Sequence, residues 1–121
     1  MKKENRSIEN IKNDIRSAGQ SFLGIRMRDL LNRIDELDDK DSKTKLIEEY
    51  FNNQVGTYDK NIGGTRTRVN SAIRIIKAEK VEYVLSMING SDERVIPEAV
   101  QMAKQTLADI YTGKIKLPVL E

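Results

Sequence analysis

The chain contains neither cysteine nor histidine. Without cysteine it has no disulfide framework and no thiolate zinc site, and redox chemistry says nothing about its compartment. Without histidine the commonest general base, the commonest transition-metal ligand and every Ser-His or Cys-His nucleophilic pair are gone as well. Catalysis would have to rest on carboxylates, lysines, tyrosines and hydroxyls, which suits magnesium-dependent chemistry or none. The expectation is a non-enzymatic protein with no cofactor and no metal site. Apolar runs are short and Met1–Asn10 has no apolar signal core, so no membrane association is expected and the cytoplasm is the expected compartment. Aromatics make up only 5% of the chain, which leaves few bases-stacking platforms for single-stranded nucleic acid.

What is present is charge and helical periodicity. Charged residues are 33% of 121 residues against 38% hydrophobic, a balance that suits a helical domain with solvated outer faces rather than a disordered tail. The net charge of +2 hides a segregation. Residues 1–59 carry 11 basic and 12 acidic groups, residues 60–80 carry 6 and 1, and residues 81–121 carry 4 and 6. An anionic partner would feel the local field of the middle segment rather than the global charge.

Ile8, Ile11, Ile15, Ala18, Phe22 and Ile25 recur at three and four residues, and Leu23, Met27, Leu30, Ile34 and Leu37 continue in a second register. With Gly19 and Gly24 at the changeover, the pattern predicts two helices or one kinked helix near 6–19 and 21–38. That stripe either belongs to the core or joins two copies as a homodimer. A further helix is expected over 43–54, capped by Ser42. Next comes a helix starting at Thr65 or Thr67, with VEYVLSMI at 81–88 as its extension, and then a last helix from Pro97 to Tyr111. KIKLPVL, at 114–120, alternates well enough for one short edge strand or a docking tail. Leu120–Glu121 match a common vector remnant and carry no argument. The expected fold is therefore all-α, a small bundle of five to six helices with an N-terminal hairpin or kinked helix. Its divisions are a packing segment at 1–38, a helical domain at 39–113 and a tail at 114–121.

Two acidic motifs fail as metal sites. An EF-hand loop started at Asp39 would place Thr44 and Tyr50 where glycine and glutamate are required. Asp41-Ser42-Lys43 has the D-x-K spacing of metal-dependent nucleases, but no strand surrounds it.

The candidate site is the segment KNIGGTRTRVNSAIRIIKAEK, residues 60–80. Exposed N–H groups at a helix start favour anions, and arginines add forked donors to phosphate. Lys60, Gly63, Gly64, Thr65, Arg66, Thr67, Arg68, Asn70, Arg74 and Lys77 are the expected nucleic-acid or phosphate contacts. Arg66, Asn70, Arg74 and Lys77 line up as a polar stripe opposite Val69, Ala72, Ile73 and Ile76. The pattern suits a helix-turn-helix-like DNA reader, with a supporting loop longer than a compact motif has. On that reading Arg74→Glu removes binding and leaves the fold intact. Other readings stay open: a solvated face whose cations pair with the acidic 35–49 segment, a phosphorylated small ligand held at Gly63–Gly64, or an adaptor that grips a protein partner. The glycine segment has neither the Walker ending nor G-x-G-x-x-G.

Overall fold

Ser7 opens the first helix by accepting the Asn10 amide on its hydroxyl at 3.1 Å, which satisfies one of the free N–H groups of the first turn. Helix α1 runs Ile8–Ala18 and stops at Gly19, whose φ of +84° is a conformation glycine adopts without penalty. The chain restarts at once as α2, Gln20–Asn32. Arg33 breaks it again before the short α3, Ile34–Asp38. Asp39 caps α4, Lys40–Asn52, by accepting from both the amide and the hydroxyl of Ser42. The loop 53–61 leads to α5, Ile62–Lys77, capped by the Asn61 side chain. Glu79, at φ 57°, turns the chain into α6, Val81–Met87. Pro97 sits at the start of α7, Pro97–Tyr111, where its missing N–H costs nothing.

The computed structural model describes all 121 residues and is all-helical, with no strand. Seven helices replace the expected five to six, because Arg33 and Glu79 each interrupt what periodicity alone joins. The basic helix begins at Ile62 rather than at Thr65 or Thr67, since Asn61 is the better-placed cap. Likewise Asp39, not Ser42, caps α4. Of the two expectations for the C-terminal tail, the edge strand does not form and the docking segment does. Residues 114–121 find no strand partner; Ile115 enters the core, and Glu121 accepts a main-chain bond from Lys3.

Two helix pairs carry the packing. Helix α2 lies along α7, in tight contact where Gly24 meets Ala99, and α1 lies along α5, which α4 flanks on another side. One apolar cluster runs through all of them, from Ile11 through Leu30, Ile47, Ile76 and Leu85 to Ala103 and Ile115. Each fully buried aliphatic side chain there stabilises the fold by about 1.5–3 kcal/mol relative to exposure. The N-terminal stripe expected to serve either a core or a second copy is taken up by this core: Ile11, Ala18, Leu23, Met27 and Leu30 are all fully buried. No apolar seam on α1 and α2 is left for a homodimer of that kind, and segment 1–38 shares its core with 39–113.

Candidate nucleic-acid interface

Helix α5 buries Thr65, Val69, Ser71, Ala72, Ile73, Ile75 and Ile76. At about 100° per residue, Arg66, Asn70, Arg74 and Lys77 fall within about 80° of one another, on the side that remains. Arg66 and Thr67 are exposed; Asn70, Arg74 and Lys77 are half-buried between neighbouring helices. Lys60 is exposed in the loop just ahead. So the predicted polar stripe forms, but its members differ in how far they are free.

Arg66 makes no ion pair with any carboxylate. Asn70 accepts a hydrogen bond on Oδ1 from Nζ of Lys43, a residue of α4, at 3.2 Å. Arg74 donates from Nε to Oδ1 of Asp14 at 2.9 Å and from Nη2 to the Ser71 hydroxyl. Asp14, on α1, is buried and is shared with Arg6, which reaches both its oxygens. Two guanidinium groups against one carboxylate leave this cluster with a net positive charge. Lys77 pairs with Glu4 at 3.5 Å, and the Glu4 amide bonds the Lys77 carbonyl, so the N-terminal segment covers that end of the stripe. The cations of the middle segment therefore pair with Asp14, Glu4 and Asp59 rather than with the acidic residues 35–49.

The helix start is organised differently from the expectation. Asp59 folds back so that its carboxylate would lie 2.8 Å from a Cβ at Gly64. It accepts the Thr65 hydroxyl at 2.9 Å and Nε of Arg68 at 3.2 Å. The place where Gly63–Gly64 was expected to admit a phosphate is thus held by the chain's own carboxylate, with Asn61 already bonded to the Gly63 amide. A side chain at Gly64 would push against Asp59 and displace its carboxylate. Arg68 lies about 200° around the helix from Arg66. It points inward, donating from Nη1 to the Ala18 carbonyl at 2.7 Å across Gly19. A helical wheel drawn from the sequence already separates Arg68 from the stripe. Nothing local announces Lys43, Arg6 or Asp14, which arrive from other helices.

No cluster of three or more His, Cys, Asp or Glu side chains able to hold a metal forms, and in the D-x-K motif Lys43 turns to Asn70 while Asp41 faces solvent. No helix is long and apolar enough to cross a membrane. Comparison with protein-family models, curated proteins and solved structures finds no match for this chain.

Proposed function

We propose that the protein binds nucleic acid without catalysis, holding the phosphate backbone of a duplex along the exposed stripe of α5. The observation that carries this reading is the reach of Lys43 to Asn70, which adds an α4 cation to the stripe beside the unpaired Arg66. Together with the net charge left on the Arg6–Asp14–Arg74 cluster, this makes a two-helix basic surface. Two acids pair with cations of the stripe itself, Asp14 with Arg74 and Glu4 with Lys77. Forked arginine donors and lysine point charges on such a surface match phosphate oxygens.

The recessed setting of α5 favours backbone contact over base reading. A recognition helix must protrude to enter the major groove, whereas α5 has α1 and α4 packed along it. Asn70 is already bonded to Lys43, and aromatic stacking partners are missing from the stripe.

The test is fluorescence anisotropy against labelled duplex DNA, with single-stranded DNA and RNA alongside, from low to physiological salt. Salt-graded duplex binding is expected. Arg66→Glu and Lys43→Glu should each weaken it and lower the salt slope by about one contact's worth, roughly 0.9 log units per log unit of salt. Duplex binding that both variants retain at full strength, or no binding at low salt, rejects the reading.

A further inference from the structure

A cleft of about 610 Å³ opens on another side of the molecule, where the α1–α2 junction meets the loops 53–61 and 88–96. Its volume lies within the roughly 300–1,000 Å³ of small-molecule sites. Arg16, Arg68 and Arg94 line it, against one lining carboxylate, Asp92. Ile15 and Val95 are the apolar residues of its wall, and the three guanidinium groups favour an anion. We propose that this cleft binds a small phosphorylated ligand through Arg16, Arg94 and the remaining donor edge of Arg68.

Arg16 on α1 has only a neutral partner, the side-chain carbonyl of Asn13. Arg68 uses Nε on Asp59 and Nη1 on the Ala18 carbonyl, which locks its guanidinium in place and leaves Nη2 without a protein acceptor. Arg94 has a side chain 90% exposed and leans on Asp92 from two residues away, a short local pair that reorients at small cost. The result is one fixed and two movable guanidinium groups around one opening.

The frame around them is preformed. Ser21, buried at the start of α2, accepts the Ile96 amide at 3.2 Å and donates to the Arg94 carbonyl at 3.5 Å, tying the 88–96 loop to the helix junction. Gly56 keeps the facing loop close, since a Cβ there would stand 2.6 Å from Ile96 Cδ1. A site that need not order its backbone on binding keeps more of its contact energy as affinity. This cleft is separate from the duplex-binding stripe, because Arg66, Asn70 and Lys43 do not line it.

The test is calorimetric titration of the full chain with inorganic pyrophosphate and, separately, with a nucleoside triphosphate. Pyrophosphate alone suffices if the site takes the phosphate group; tighter nucleotide binding means that the cleft also holds the nucleoside. Arg16→Ala and Arg94→Ala, at exposed positions that leave the core untouched, should each weaken binding about tenfold. Arg66→Ala should leave it unchanged while duplex binding falls. The proposal is overturned by the absence of binding of either compound at millimolar concentration in low salt. It is equally overturned by affinity that the Arg16→Ala/Arg94→Ala double variant retains.

Discussion

Arg74 of α5 donates from Nε to Oδ1 of Asp14 of α1 at 2.9 Å, and the Asp14 side chain is only 4% exposed. The bond ties together the helix that carries the candidate interface and the helix that backs it. Arg6 closes on the same carboxylate, so the charge of Asp14 is compensated twice.

Arg74→Glu is therefore expected to destabilise the fold, contrary to a purely surface role. It sets a second carboxylate against a buried one, a loss of about 3 kcal/mol that Arg6 only partly relieves. Arg66→Glu, on the exposed arc, should stay within about 0.5 kcal/mol of the parent chain. Urea denaturation of the two variants checks the contrast. Equal midpoints would mean that Arg74 is not engaged with Asp14.

Gly24→Ala should also destabilise, against the usual trend for a glycine inside a helix. Alanine gains about 1 kcal/mol of helix propensity. At this position, however, its Cβ would stand 2.5 Å from the Ala99 carbonyl oxygen and 2.9 Å from the Ala99 Cβ, so α2 and α7 must separate. Overpacking of that kind costs about 1–3 kcal/mol and outweighs the propensity gain. A lower thermal midpoint is the expected result, and a higher one would contradict the α2–α7 contact.

Asp59→Ala should loosen the start of α5. Thr65 is buried and would lose the acceptor of its hydroxyl, while Arg68 would keep only the Ala18 carbonyl. The loss is about 1–3 kcal/mol. Hydrogen exchange would show it as faster opening of the first turns of α5, with α7 unchanged.

Acid should weaken the α2–α7 pair. Nη1 of Arg28 lies 2.6 Å from Oδ2 of the buried Asp109, and Gln105 donates to Oδ1. The Arg28 hydrogen bond, helped by Gln105, holds the Asp109 carboxyl below the usual aspartate range. A depressed folded-state value means that the stabilisation is complete above the unfolded value of about 3.9 and is lost as pH falls through the folded one. Asp109→Asn should be less stable than the parent at pH 7, and the gap between them should close below about pH 4. Thermal midpoints measured from pH 7 to pH 2 check this; a gap that is constant across the range would contradict it.

Much of the helical layout was legible because it rests on local signals. The apolar spacing of residues 8–37, Gly19 as a break, and Pro97 as a start all act within a few residues of themselves. The boundaries that were misread had competing local candidates: Asp39 and Ser42 are both good caps, and Asn61 precedes the threonines that were also eligible. For the tail, local pattern leaves a strand and a docking segment equally open, and the structure takes the docking segment. An alternating segment forms a strand only when another strand is there to pair with, and this fold supplies none.

The sequence by itself determined that the protein is helical, that thiol and imidazole chemistry are excluded, and that positive charge concentrates in residues 60–80. Only the tertiary structure decided which of those charges remain available. Helix packing brought Asp14 to Arg74 across 60 residues, Asp59 back onto Gly64, Lys43 beside Asn70, and Arg68 away from the stripe into the cleft with Arg16 and Arg94. The reason is one of range. Periodicity and capping act over one or two turns, whereas an ion pair depends on where two distant helices come to rest, and core packing sets that placement.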